Sequence, residues 1–238
     1  MDYFFSSDRE GQYIVLSEAE ARHALQAHRK REGDELIVVD GRGGRYWVRI
    51  EEASKGYCRC VILSEERDHR SRSYRLQIAI APTKNSNRFE WFIEKATELG
   101  VDQIRPIACF HSERRRLRHD RLERIAIAAM KQSKQAYLPQ IKPMIEIGEY
   151  LKEKQEPGVA QTQHFIAWLG EDVKGYLKDN YQPGCDVEIL IGPEGDFTGE
   201  EVELAMNNGY IPVSLGETRL RTETAGIIAC SQIHFINQ

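Results

Sequence analysis

The chain has 238 residues, of which 41% are hydrophobic and 29% charged, and its formal net charge is −4. This length suits one large domain or two small ones, each with its own core. No run approaches the roughly 20 apolar residues that a membrane-spanning helix needs. The first residues also lack the basic and apolar regions of a signal peptide. These features predict a cytoplasmic globular protein without a membrane partner.

Charge is distributed unevenly along the chain. Residues 1–144 contain 27 Lys and Arg against 21 Asp and Glu, whereas residues 145–238 contain 6 against 16. The two parts therefore carry +6 and −10. Such asymmetry favours a polyanionic partner for the first part, although the charges could also simply solvate each surface.

Short apolar runs separated by turn residues occupy the first seventy positions, and they predict strands. These runs are Tyr13–Leu16, Leu36–Val39, Tyr46–Ile50 and Tyr57–Leu63. Ser17 and Glu20 form the capping-box pattern of one helix, which Gly33 is expected to end. Cys58 and Cys60 are predicted to be reduced core thiols, because the partners of a zinc site are missing and no metal is expected. The pattern predicts a compact β-barrel over residues 1–72, ending in a polar linker over residues 64–73.

From residue 73 to residue 238, strands alternate with helices, which is typical of a parallel sheet covered on both faces. The predicted strands are Leu76–Ala81, Ile104–Ile107, Phe165–Leu169, Val187–Ile191 and Val213–Leu215. The predicted helices are Arg88–Leu99, His119–Tyr137, Thr198–Asn207 and Thr224–Ile236. Such sheets bind ligands at the carboxyl ends of their strands. The loops after Leu169, Ile191 and Leu215 are therefore the expected binding region.

Two of these loops have a composition suited to ligand binding. Residues 192–195 contain two glycines and a proline, which allow the backbone to approach a ligand closely. Residues 215–225 follow a strand and open a helix, and the small residues Thr224, Ala225 and Gly226 leave room beside its first turn. Neither loop matches a dinucleotide fingerprint or a P-loop. Taken singly, each could equally be an ordinary turn between a strand and a helix.

Taken together, the two loops resemble the signatures of the RsmE family of SPOUT methyltransferases. The segments that match the family are Leu190–Gly195, Leu220–Ala225, Lys95–Val101, Gln132–Ser133 and Leu138–Ile141. The resemblance covers the whole chain. It implies a PUA-like barrel over residues 1–72, which binds RNA, and a trefoil-knotted α/β methyltransferase domain over residues 73–238. Three positions depart from the family pattern, namely Gln135, Asp196 and the pair Thr218-Arg219.

The resemblance implies that S-adenosyl-L-methionine (AdoMet) is the cofactor and that backbone groups of three loops hold it. The implied cofactor-binding residues are Trp168, Leu169, Gly170, Ile191, Gly192, Pro193, Glu194, Gly195, Leu215, Gly216, Leu220, Arg221, Thr222 and Ala225. The implied reaction is methylation of N3 of a uridine in small-subunit (16S) ribosomal RNA. The family also implies a homodimer, and the apolar residues of the last helix agree with one.

Methylation at N3 requires removal of a proton and stabilisation of the resulting anion. Arg219 and Arg221 are the expected stabilising cations. Glu194 or Glu223 would accept the proton, although either could instead cap a helix or pair with an arginine. Contact with RNA phosphates is expected from basic clusters, since such groups bind without reading sequence. These residues are Arg22, Arg29, Lys30, Arg31, Arg114, Arg115, Arg116 and Arg118.

Two other interpretations of the sequence remain open. The first is a non-catalytic RNA-binding protein with a PUA-like module. The second is a related SPOUT enzyme that modifies another nucleotide, such as a tRNA ribose. The intact cofactor loops argue against the first. The N-terminal barrel together with Leu220–Ala225 favours the rRNA enzyme over the second.

Overall fold

The structure, a computed structural model, describes residues 2–153, 162–170 and 173–238. The chain forms two compact units. The first comprises residues up to Ser71 together with Ile127–Leu138, and the second comprises Arg72–Ala126 with Pro139–Gln238. The sequence pattern did not indicate that residues 127–138 cluster with the first unit.

The first unit is built on a six-stranded mixed sheet in the order β1-β4-β5-β6-β3-β2. Its strands are β1 Tyr3–Phe5, β2 Arg9–Glu10, β3 Tyr13–Leu16, β4 Glu35–Val39, β5 Arg45–Ser54 and β6 Tyr57–Glu66. The pair β1 and β4 is parallel, and the other neighbours are antiparallel. The predicted barrel-like β-rich unit is confirmed. The linker begins later than expected, because Glu65 and Glu66 still pair with β5.

Alternation of side chains along β5 and β6 supplies much of this unit's core. Tyr46, Val48 and Ile50 point inward and are buried, as period-two patterning requires. Cys58 and Cys60 lie in the same cluster, with their sulfur atoms 3.8 Å apart. Both thiols are free and buried, so the prediction of reduced core thiols is confirmed.

The helix of the first unit differs from its prediction. Helix α1 spans Glu18–Arg22 and continues as a π-helical turn, His23–Ala27, which ends before Gly33. Ser17 caps it by accepting the N–H of Glu20 at 3.3 Å. The Glu20 carboxylate does not complete the capping box. It accepts the backbone N–H of Phe5 at 3.0 Å and pairs with Lys131 at 2.5 Å, so a tertiary contact replaces the local one.

The second unit contains a seven-stranded sheet that is parallel throughout, ordered β10-β8-β7-β12-β11-β13, with β9 also paired to β8. The strands are β7 Leu76–Ile80, β8 Gln103–Ala108, β9 Gln140–Ile141, β10 Ile145–Glu146, β11 Gln163–Ala167, β12 Val187–Ile191 and β13 Ile211–Val213. The helices that follow β7 in the chain are α2 Ser86–Glu98, α3 His119–Gln132, α4 Ile147–Glu153, α5 Leu177–Asn180, α6 Gly199–Asn207 and α7 Thr222–Ile236. The part of α3 from Ile127 onward belongs to the first unit. The predicted parallel α/β domain is confirmed. No helix in the described part of the chain is long and apolar enough to cross a membrane.

Several boundaries follow local chemistry. All five residues of β12 are buried, which explains its continuous apolar run, and the strand matches its prediction. The capping box of α6 is also confirmed, because Thr198 and Glu201 exchange both hydrogen bonds. Strands β11 and β13 end earlier than expected, at Ala167 and Val213, so the apolar residues beyond them belong to loops.

Helix α3 is shorter than its predicted span to Tyr137. Lys134 adopts a left-handed conformation with φ 56°, and its N–H bonds to the carbonyl of Lys131. The N–H of Gln135 bonds to the carbonyl of Met130, which completes a Schellman motif without glycine. Met130 and Ala136 then pack with Ile37 in an apolar cluster of the first unit.

Candidate functional site

A cavity of about 330 Å³ opens at the carboxyl ends of β11, β12 and β13. Its volume lies in the range of small-molecule sites, and its position follows the rule for parallel sheets. It is lined by Ala167, Trp168, Leu169, Ile191, Gly192, Pro193, Glu194, Asp196, Val213, Ser214, Leu215, Gly216, Thr218, Arg219, Leu220, Arg221, Thr222 and Ala225. Three loops that are distant in sequence therefore form one pocket, at the place predicted from the strand order of the sequence.

Every residue expected to hold a cofactor lines this cavity except Gly170 and Gly195. Gly170 lies against the Trp168 ring, which occupies the space that a β-carbon would need. At Gly195, a β-carbon would lie 2.9 Å from Cβ of His111. Both glycines therefore make room for neighbouring side chains, and neither has a positive φ.

The loops that form the cavity are tied to the sheet and to α7. The N–H of Trp168 bonds to the carbonyl of Val213 at 3.1 Å. Ser214 Oγ donates to the carbonyl of Gly216 at 2.7 Å, and Gln232 Nε2 of α7 donates to the carbonyl of Leu215 at 2.8 Å. These bonds hold the backbone of the third loop in place before any ligand binds.

Two cations line the cavity. Arg219 and Arg221 are both exposed, and neither forms an ion pair with another described residue. Arg221 is also the N-cap of α7, although its side chain makes no capping bond. Both guanidinium groups are thus available for an anionic group or a developing negative charge in the cavity.

Asp196 is a cavity residue that the sequence analysis noted only as a departure from the family pattern. It has φ 65°, a conformation that aspartate tolerates better than most residues. Its Oδ1 accepts the N–H of Phe197 at 2.8 Å. Burial raises the pKa of the Asp196 carboxyl, while this hydrogen bond and the nearby Arg219 and His111 oppose that rise. The cavity therefore contains a half-buried carboxyl whose charge is sensitive to its surroundings.

The two glutamates considered as bases occupy different places. Glu194 lines the cavity, and its Oε1 accepts the backbone N–H of Lys84 at 2.9 Å. Glu223 is buried in the first turn of α7 and is not among the lining residues. Its Oε1 lies 3.6 Å from Nε of Arg88, and its Oε2 has no hydrogen-bond partner among the described residues.

The small residues at the start of α7 have two different roles. Ala225 faces the cavity, as expected. Gly226 instead faces the core, where a β-carbon would stand 2.5 Å from Cε2 of Phe92 in α2. The group that presses on this turn is therefore an aromatic ring of the protein, and Gly226 serves helix packing.

The arginine loop, residues 109–118, follows β8 and so begins at the same sheet edge as the cavity. Arg114 donates to the carbonyls of Thr83 and Lys84 at 3.1 and 2.6 Å. Arg115 pairs with Glu146 at 2.6 Å. The structure therefore gives these two arginines bonds within the protein.

Arg116 and Arg118 differ from their neighbours in the arginine loop. Both are exposed, and their guanidinium groups bond to no other described residue. They line a groove of about 320 Å³ with Arg121, which pairs with Glu90 through two hydrogen bonds. These two arginines are the free cations of this stretch.

The basic residues of the first unit lie on and after α1. Arg22 is exposed and pairs with Glu18 at 3.3 Å. The Lys30 ammonium donates to the carbonyl of Glu35 at 3.3 Å. Arg29, with φ 54°, and Arg31 expose side chains that form no ion pair with a described residue. The four residues thus form one basic stretch in which two side chains are free.

His111 was not singled out from the sequence, although it follows a predicted strand at the ligand-binding edge. Its Nδ1 donates to the carbonyl of Asp196 at 3.0 Å. His111 thus contacts a lining residue without lining the cavity itself. The cavity residues that were not predicted are Ala167, Val213, Ser214 and Thr218, together with Asp196. Most of them could have been predicted because they lie at or directly after the carboxyl ends of β11 and β13.

Family models match both parts of the chain. The model of the RNA methyltransferase domain matches residues 70–234, and the model of the RNA methyltransferase PUA domain matches residues 16–63. Two curated relatives are named ribosomal RNA small subunit methyltransferase E. The one from Synechocystis sp. is 28% identical over 226 residues, covering 93% of this chain and 72% of that protein. The one from Aquifex aeolicus is 28% identical over 229 residues, covering 94% and 95%.

Solved structures are similar over almost the whole chain. A probable rRNA-methyltransferase from Porphyromonas gingivalis is 44% identical, with a TM-score of 0.90 over 100% of this chain and 98% of that one. A protein from Legionella pneumophila, described as a methyltransferase with bound cofactor SAM, is 26% identical. Its TM-score is 0.84 over 99% of this chain and 97% of that one.

Proposed function

Because the chain belongs to the RNA methyltransferase domain family, whose model matches residues 70–234, we propose that it methylates N3 of a uridine in small-subunit ribosomal RNA, with AdoMet as methyl donor. The observation that carries this proposal is one cavity lined by both signature loops and by two unpaired arginines. The names of the relatives from Synechocystis and Aquifex support the choice of RNA. The same proposal makes it a cytoplasmic enzyme, because that is where ribosomal RNA is found in bacteria.

The residues of the cavity fit AdoMet. Apolar side chains of Trp168, Leu169 and Leu220 supply a slot for the adenine ring, and backbone groups around Gly192 supply donors and acceptors. The carboxylate of Asp196 suits the positive charges of the cofactor. AdoMet supplies an electrophilic methyl group on a positively charged sulfur.

The protein's own residues must prepare the uracil. Its N3 is a poor nucleophile while it carries a proton, so a carboxylate of the cavity accepts that proton. Glu194 is better placed than Glu223, because only the first lines the cavity. Arg219 and Arg221 stabilise the anion that forms across O2 and O4. Bound AdoMet would supply the methyl group to the deprotonated N3, and its sulfur would keep the electron pair of the S–CH₃ bond.

Contact with the RNA backbone involves both units. In the second unit, Arg116 and Arg118 bind phosphates, whereas Arg114 and Arg115 mainly hold the arginine loop in shape. In the first unit, the exposed side chains of Arg29 and Arg31 are the corresponding candidates. These contacts orient the RNA without reading its sequence.

We further propose that the enzyme is a homodimer that pairs through α7. Phe235 on this helix is 67% exposed, and Ile227, Ile228 and Ile236 are only partly buried. An apolar stripe of this kind, on a helix packed against its own sheet, is suited to a second copy of the chain. Light scattering at micromolar concentration tests this, and a monomer would exclude it. The trefoil knot that the family resemblance implies stays a prediction.

The experiment for the reaction uses purified protein, labelled AdoMet and small-subunit rRNA from cells that lack the gene. Nucleosides from a digest are separated and identified by mass and retention. We expect label in 3-methyluridine. Label in a ribose-methylated nucleoside would overturn the proposal in favour of another target. Absence of label in a protein that binds AdoMet in calorimetry would overturn it in favour of a binding role.

A further inference from the structure

The turn that opens the arginine loop exposes a large aromatic side chain. Phe110 is 74% exposed, more than any other large hydrophobic residue in the described part of the chain. A single exposed apolar side chain is not informative by itself. Phe110 differs from other exposed apolar residues because its backbone is held by hydrogen bonds and because it lies beside the cavity.

The backbone around Phe110 is held by four hydrogen bonds. Its own N–H donates to Oε1 of Glu201 at 2.8 Å, and Glu201 also forms the capping box of α6 with the N-cap residue Thr198. The N–H of Cys109 donates to Oγ of Ser112 at 2.9 Å, and the N–H of Ser112 returns to the carbonyl of Cys109 at 3.0 Å. His111 bonds to Asp196 and meets the Phe110 ring edge-on, with centroids 5.1 Å apart. The ring is therefore presented to solvent by a fixed turn.

Phe110 lies beside the cavity without lining it. The contact runs from Phe110 to His111 and from His111 to Asp196, which is a lining residue. On the other side along the chain come the free cations Arg116 and Arg118. An exposed aromatic ring near a ligand cavity, followed in the same loop by arginines that have no ion-pair partner among the described residues, is a combination with which proteins bind unstacked nucleotides.

We propose that Phe110 stacks on the nucleobase next to the one that is methylated, and so positions the RNA over the cavity. This inference rests on the proposed function. A base that enters the cavity must leave its stack, and its neighbour then loses a stacking partner. The Phe110 ring replaces that partner, because it stands outside the cavity on a backbone that is already held in place. Phe110 is thus a positioning residue that contacts the substrate.

The test compares Phe110→Ala and Phe110→Trp with the wild-type protein. The control is Met206→Ala, which removes a side chain that is 39% exposed near the far end of α6. The probe is a short single-stranded RNA in which uridine alternates with 2-aminopurine, whose fluorescence is quenched by stacking. Its affinity is read from anisotropy, and AdoMet affinity is measured by calorimetry in parallel.

We expect Phe110→Ala to bind the probe about ten-fold more weakly, within the range for loss of one stacked base. It should also lose part of the 2-aminopurine quenching while its AdoMet affinity stays unchanged. Phe110→Trp should restore both signals, and Met206→Ala should match the wild type. Unchanged probe affinity and quenching in Phe110→Ala, or a tryptophan variant that behaves like alanine, would overturn the inference. Methylation of small-subunit rRNA by the wild type, assayed separately, reports on the proposed function alone.

Discussion

Two glycines near the cavity, Gly226 and Gly216, allow packing to be separated from ligand binding. Replacement by valine should lower the stability of the protein at Gly226 and the affinity for AdoMet at Gly216. In Gly226→Val, the new β-carbon would stand 2.5 Å from Cε2 of Phe92 and 3.0 Å from Cδ1 of Ile80. Ordinary carbon contacts lie near 3.5–4.0 Å, and both neighbours are fully buried. Relieving this overlap should cost about 3 kcal/mol, the upper part of the overpacking range. For a chain of this size, that corresponds to a fall in Tm of roughly 6–12 °C.

Gly216→Val is the matched variant. A β-carbon there meets no atom within 4 Å, and the glycine φ lies outside the left-handed region. The free energy of unfolding should therefore change by no more than about 0.5 kcal/mol. Because Gly216 lines the cavity, the added side chain should narrow it and weaken AdoMet binding about ten-fold, a loss of about 1.4 kcal/mol.

Thermal unfolding followed by circular dichroism, together with AdoMet calorimetry, measures both quantities. If Gly216→Val binds AdoMet as tightly as the wild type does, the cavity beside Gly216 is not the AdoMet site. If Gly226→Val keeps its Tm and loses only its affinity for AdoMet, Gly226 belongs to the binding site and not to the core.

Three further changes test individual charges. Replacing Arg116 and Arg118 with alanine should weaken RNA binding. The slope of log K against log salt concentration should become shallower by about 0.7 per lost contact on single strands. The control is Arg124→Ala, which removes an arginine paired with Asp120 and should leave this slope unchanged. Burial raises the pKa of Asp196 above its ordinary value of 3.8, so folding disfavours the ionised form of this carboxyl. Wild-type stability relative to Asp196→Asn should therefore fall as the pH rises from 3.8 to the raised pKa, and then level off. Urea unfolding across that range would contradict this if the difference stayed constant. Arg221→Ala should slow single-turnover methyl transfer about 100-fold with AdoMet affinity nearly intact, and loss of RNA affinity alone would assign it a different role.

Local sequence patterns predicted those parts of the fold that local chemistry determines. The continuous apolar run of β12 and the Thr198–Glu201 capping box both appear as expected. The predicted strand to Leu215 was wrong because an apolar leucine fits a ligand cavity as well as a sheet. The predicted helix to Tyr137 was wrong because Lys134 forms a left-handed cap that normally signals glycine.

Contacts between distant segments were beyond such patterns. The sequence suggested that Gly195 and Gly226 face a ligand, yet each leaves space for a side chain far away in the chain, His111 and Phe92 respectively. Glu20 has the spacing of a capping residue, but its carboxylate instead meets Lys131, 111 residues away. Nothing within a few residues of these positions encodes their partners.

The number of charged residues in a segment does not by itself predict which of them are available to bind RNA. The dense basic run suggested four equivalent phosphate ligands, but Arg114 bonds to backbone carbonyls and Arg115 to a carboxylate. Conversely, the acidic C-terminal part contains Arg219 and Arg221, whose charges meet no ion-pair partner among the described residues. A guanidinium already bound to a carboxylate gains little from a phosphate, because it must give up one anion to bind another. We therefore expect the arginines without a described ion-pair partner at the carboxyl edge of the sheet, rather than the net charge of either half, to determine where this unit attracts RNA.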